Sequence, residues 1–300
     1  MVSGAIASVV IKVVLNHWWN DCPDRVRWDP EAARHLKTVG RWVFVSTALA
    51  FCADQSERLV LGQVATKEQL GVYAVAVTYL LMTAHLVQTI CVNVLYSVLC
   101  QSDRKAGDFV ASFVGHRRQV SILGGFAMTC LCGGGAALID LLYADEFSSG
   151  GWMLQVSSCG TWFSVVLGAP RIQVCLAKGK PKYTAAVNMV MVLSLVAFIP
   201  AGAYMFGMAG ALWAYVASNL CRYLFAAYLN HGLGVGALTQ DARLTVRFGV
   251  VTAGILWMDS RLLSLGAGPL ARCLAVGAVA GLCWLPGEVA LIRTQLRGKA

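Results

Sequence analysis

The sequence predicts an all-α protein, a polytopic membrane helical bundle of about nine transmembrane helices. Of its 300 residues, 58% are hydrophobic and only 13% are charged, whereas a soluble domain averages about 25% charged. Mean hydropathy is +0.65. The apolar residues gather into runs of about twenty, the length that crosses a hydrocarbon core about 30 Å thick. The runs lack the period-two alternation of a membrane barrel, so they read as helices. Most soluble enzymes and all disordered chains are excluded on these grounds.

In chain order the runs fall at about 1–17, 38–60, 70–100, 118–142, 151–176, 184–206, 208–230, 245–265 and 270–292. The first is short. It has no basic stretch before it and no cleavage site ahead of His17-Trp18-Trp19, so it reads as a spanning helix that ends in an interfacial aromatic belt. The polar segment 20–37 contains Asp29-Pro30-Glu31, with Asp as N-cap and Pro at the first helical position. That pattern predicts a short interfacial helix leading into the second run. The third run carries His85, Gln88 and Asn93. In the fourth, Gly124-Gly125 and Gly133-Gly134-Gly135 permit close helix approach or bending. Phe206-Gly207 reads as the turn between the sixth and seventh runs. The last two helices are expected outside the bundle core, with a kink at Pro286-Gly287 beside Glu288, whose role is read as structural.

The formal net charge is +9, which in a soluble domain would raise the question of nucleic acid. Here the cations punctuate apolar runs instead of forming a patch, and nucleic acid is excluded as a partner. If the nine runs alternate sides, seventeen Lys and Arg fall on one face and three (Arg58, Lys67, Arg261) on the other, while Lys12, Arg171, Arg222 and Arg272 lie within the runs. The positive-inside rule makes the rich face cytoplasmic and puts the C-terminus there. The connections on the other face (61–69, 143–150, Phe206-Gly207 and 259–268) are too short for an external catalytic domain. Of the 11 Cys, ten sit in or at the edges of the apolar runs, and Cys130 and Cys132 lack nearby His partners, so a zinc or redox motif has no support and no cofactor is expected. Gly232 to Gly236 is not followed by Lys-Ser/Thr, which removes a phosphate-binding loop.

The stretch 55–77, QSERLVLGQVATKEQLGVYAVAV, resembles the polysaccharide exporters, the lipid-linked oligosaccharide flippases for O-antigen and exopolysaccharide within the multidrug/oligosaccharidyl-lipid/polysaccharide exporter superfamily. The family pattern there is an Asp-Arg pair, an apolar triplet and Gly, then Leu-Gly-x-Tyr-x-x-Ala. The matching positions are Glu57, Arg58, Leu59 to Leu61, Gly62, Leu70, Gly71, Tyr73 and Ala76, with Glu57 departing from Asp. Leu176 to Lys180 with Asn188, and Phe206 to Leu212, are similar to two further family turns. The resemblance implies the C-terminal bundle of a two-bundle exporter fold: 1–37 as the last helix of an N-terminal bundle plus a cytoplasmic linker, 38–231 as a six-helix bundle, and 232–300 as two additional helices. About five helices of the family fold would then be missing, as from a truncated, split or misread gene.

What the resemblance implies about function is transport without covalent chemistry, of a lipid-diphosphate-linked oligosaccharide across the inner membrane. The partners would be membrane lipid, that substrate, and a separate chain or missing N-terminal bundle. A membrane glycan polymerase or ligase is the alternative from the enzyme class, and a non-transporting subunit is the third reading. A flippase needs cations that offset diphosphate charge inside the membrane. Arg171 and Arg222 are the candidates, either lining a cleft or snorkelling to lipid phosphates. Arg58 joins them as a substrate-binding candidate. Asp54 and Glu57 are candidates for ion coupling, against a local Asp54–Arg58 pair four residues apart. His85 and Gln88 share a helix face and suit sugar hydroxyls or interhelical hydrogen bonds.

Overall fold

The computed structural model describes residues 29–104 and 109–285, together with positions 9–12, 14, 15 and 18. The described positions among 9–18 are helical. The rest of the first run, residues 20–28, and Pro286, Gly287 and Glu288 lie outside the described residues. The chain divides into two compact units, 1–41 and 42–300. The sequence reading puts the first boundary at 37/38, inside a helix that the structure shows to be continuous.

That helix is α1 (Pro30–Val64). Asp29 caps its start, its Oδ1 accepting from the Glu31 amide at 2.9 Å. The expected short interfacial helix does not stop before the second run, because between Pro30 and Val64 the chain has no Pro and only two Gly, Gly40 and Gly62.

In the second unit α2 (Lys67–Ile90) opens with a capping box. Thr66 Oγ1 accepts from the Gln69 amide and Gln69 Oε1 from the Thr66 amide, each at 3.2 Å. A π-helical segment, Cys91–Tyr96, joins it to α3 (Ser97–Arg104). α4 (Phe109–Leu142) follows, then a 3₁₀ turn at Asp145–Phe147 and α5 (Gly150–Thr161). A second π segment, Trp162–Gly168, leads into α6 (Ala169–Ala177). Pro170 supplies the cause. It has no amide to donate back along the helix, and its ring would strike the carbonyl four residues earlier, so the turn before it widens.

α7 (Pro181–Gly232) breaks at Phe206 and Gly207 into two arms, where Gly207 adopts φ 61°, ψ −145°. The chain doubles back there: Gly202 and Gly210 lie backbone against backbone, although eight residues in a straight helix would hold them about 12 Å apart. The turn predicted at Phe206-Gly207 is therefore present as a tight helical hairpin. α8 (Leu238–Ser264) and α9 (Pro269–Trp284) complete the described chain.

The glycines of α4 permit close approach. A Cβ on Gly125 would meet the Trp284 ring, one on Gly133 would meet Ile255, and one on Gly134 would meet Val276. α8 and α9 therefore pack directly on α4, and the expectation that they lie outside the bundle core is corrected. Trp284, fully buried, donates from Nε1 to Thr129 Oγ1 at 3.0 Å. Trp162 stacks on Phe248 of α8 with centroids 4.3 Å apart.

The whole is an all-α membrane helical bundle, without strands among the described residues. Lys67–Asp103, Phe109–Leu142 and Pro181–Gly232 are long and apolar enough to cross a membrane by length and composition, and Gly40–Ala53 and Pro269–Trp284 are shorter apolar helices. Among the described residues the clear spans number fewer than the expected nine, because the first run lies largely outside them and because of three features of the fold. One long helix is a hairpin, one run is split by a π segment, and α8 carries charges that are paired inside the bundle.

Candidate functional site

A cavity of about 570 Å³ opens within the second unit. α2 contributes His85 and Gln88, three residues apart on one face, above Leu81. α5 and its π segment contribute Thr161 and Ser164. The first arm of α7 supplies Asn188 and Met191, and the second supplies Tyr215, Asn219 and Arg222 at the i, i+4, i+7 spacing of one helical stripe. Ala50 and Ala53 of α1 close another side.

The hairpin at Gly207 makes this site, because it folds Arg222 back against Asn188. Asn188, 5% exposed, donates from Nδ2 to the Ser46 carbonyl at 3.0 Å and to Ser46 Oγ at 3.1 Å. Its Oδ1 accepts from Arg222 Nη2 at 3.1 Å. One amide thus ties α1 to both arms of α7 and sets the direction of the guanidinium. Tyr215 OH lies 3.5 Å from Thr161 Oγ1 across the same cavity. Among the described lining residues Arg222 is the one arginine or lysine, and none is a carboxylate. The wall is amide, hydroxyl, imidazole and guanidinium on an apolar frame, a chemistry that receives an anionic or hydroxyl-rich group.

Three sequence-predicted residues, Arg222, His85 and Gln88, are brought together here. Arg171 is elsewhere. It is fully buried and paired with Asp241, its Nε donating to Oδ2 at 3.1 Å and its Nη2 bonding the same oxygen. Arg117, also fully buried, bonds Asp241 Oδ1, and Tyr223 OH donates to Oδ2 at 2.6 Å. The Arg171 carbonyl accepts from Asn230 Nδ2 at 3.1 Å. The side chains of Asp54, Glu57 and Arg58, on α1, lie outside the described residues. Asn93 falls in the first π segment and is exposed.

Sequence reasoning missed Asp241 and Arg117, both of which fall between the apolar runs. A signal exists in α8, where Asp241, Phe248, Thr252, Ile255 and Asp259 form a buried stripe at helical spacing. An acid at each end of an apolar stripe needs a buried cation. The second acid finds Arg272, with Nε to Asp259 Oδ1 at 2.8 Å and Nη2 to Oδ2 at 2.7 Å, while Nη1 reaches Asp140 Oδ2 at 3.1 Å. Among the described residues no group of three or more His, Cys, Asp or Glu converges on a metal position.

Residues 1–150 match a family model described as polysaccharide biosynthesis protein. The match takes in the 55–77 stretch, and the similar stretches at 176–188 and 206–212 lie beyond it. No curated protein and no solved structure matches the chain.

Proposed function

The chain belongs to the polysaccharide biosynthesis protein family, and from that premise we propose that it is a flippase-type membrane transporter component that receives the head group of a lipid-diphosphate-linked oligosaccharide. The observation that carries the reading is the cavity in which Arg222, His85 and Gln88 converge within an apolar helical bundle. A diphosphate inside a membrane needs a cation aimed by fixed hydrogen bonds, and the Asn188 amide supplies that aim. Asn219, Gln88 and Ser164 offer donors and acceptors to sugar hydroxyls. No bond is made or broken in such a cycle, so the reading is of transport and not of an enzyme. Proton or cation coupling through Asp54 or Glu57, an inner-membrane location and a partner bundle from a separate chain belong to the same proposal.

The test is binding of an isoprenoid diphosphate to the detergent-solubilised chain, with the corresponding monophosphate as comparison. The diphosphate binds more tightly, and Arg222→Gln weakens it by about tenfold or more, the effect of one charge-assisted hydrogen bond. Arg222→Glu binding as well as the parent would sink the proposal.

A further inference from the structure

A second opening, a surface groove of about 430 Å³, runs between α1 and the start of α7. Trp42, Val45 and Leu49 line it from α1, and Ala185, Ala186 and Met189 from α7. It shares no lining residue with the cavity of Arg222. On α1 the lining runs from Trp42 to Leu49, about 10 Å of apolar floor, and on α7 from Ala185 to Met189, about 6 Å.

Lys182 and Tyr183 stand at the α7 end of this floor. The ammonium groups of Lys180 and Lys182 both lie over the Tyr183 ring, 5.5 and 5.8 Å from its centroid. Neither enters an ion pair among the described residues. The contrast is Lys178 in the same connection, which is neutralised by Asp103 at 2.7 Å and lies over Phe109. Lys182 in the lining, Lys180 beside it over the same Tyr183 ring, and the amphipathic rings of Trp42 and Tyr183 on an apolar groove match one molecule in both chemistries, an acyl chain that ends in a negative phosphate.

We propose that this groove binds an anionic phospholipid, its acyl chain along Val45, Leu49 and Met189 and its phosphate between Lys180 and Lys182. A zwitterionic lipid fills the floor but leaves the two cations unbalanced. A second copy of the chain docked symmetrically through the groove would set four lysines against one another, which charge repulsion opposes. The proposal is independent of the transport reading, because the groove and the cavity have no residue in common.

Thermal unfolding of the purified full chain in detergent tests it, with phosphatidylglycerol or phosphatidylcholine added at equal concentration. Phosphatidylglycerol raises Tm by several degrees more than phosphatidylcholine. Lys180→Gln with Lys182→Gln abolishes that difference and leaves the phosphatidylcholine response, and the Tm without lipid, unchanged. Met189→Trp, which fills the floor, reduces the response to both lipids. Equal responses to the two lipids in the parent chain overturn the proposal. So does a phosphatidylglycerol preference that survives the lysine pair, a response to either lipid that survives Met189→Trp, or inorganic phosphate that reproduces the full shift. Light scattering that shows a dimer dissociated by Met189→Trp also overturns it, by assigning the groove to a second copy.

Discussion

Asp241 holds two arginines and a tyrosine where α4, α6, α7 and α8 meet, and its own side chain is almost fully buried. Removing a carboxylate from such a cluster leaves two cations without a counter-charge, and removing one arginine leaves a balanced pair. The two changes therefore differ in cost. Asp241→Asn destabilises the bundle by about 3–5 kcal/mol, the range for an orphaned buried charge. Arg117→Met costs about 1 kcal/mol, because Arg171 still bonds Asp241 through Nε and Nη2. Thermal denaturation of the two variants checks the ordering, and equal losses would show that Asp241 requires both cations. At this scale the sequence was only partly legible. Arg222, His85 and Gln88 stood out because a charge or amide within an apolar run has few innocent explanations. Arg117 and Asp241 did not, because residues near the end of a run look the same whether they face water or one another.

The helices were legible because each apolar run is long enough to be counted, and the Phe206-Gly207 turn because Gly beside a run's end is a standard break. The π segments were not. They shift the register by one residue without changing composition, and only the second has a visible cause, Pro170. The small-residue positions of α4 were legible as an alternative between bending and close approach, and the packing of Trp284, Ile255 and Val276 decides for approach. Gly125→Leu drives a side chain into the buried Trp284 ring and costs about 1–3 kcal/mol by overpacking. Gly254→Ala, in α8 with nothing within 4 Å of the added carbon, is neutral or gains up to about 1 kcal/mol of helix propensity. Gly207→Ala loses about 1–3 kcal/mol for the opposite reason, with open space but a backbone conformation that suits glycine. Denaturation midpoints of the three variants separate crowding from backbone strain. A Gly207→Ala chain as stable as the parent would mean that the hairpin does not depend on glycine's backbone freedom.

For the whole molecule the cations were first read as a topology signal, and the structure removes one of them from that count. Arg117 is buried against Asp241 and so serves the interior. Arg272, left within a run, is likewise held by Asp259 and Asp140. Without Arg117 the count from the sequence is sixteen cations against three, and of those three Lys67 and Arg261 are exposed. Positive charge near short connections orients a membrane protein with the rich face inward, so the chain's C-terminus is expected in the cytoplasm. A C-terminal green fluorescent fusion is then fluorescent, and a C-terminal alkaline phosphatase fusion, active only when exported, is silent. The reverse pattern would invert the bundle and place the lysines of the α1–α7 groove in the outer leaflet. An intermediate pattern, with both reporters active, would show that sixteen against three is too weak a bias to orient the chain.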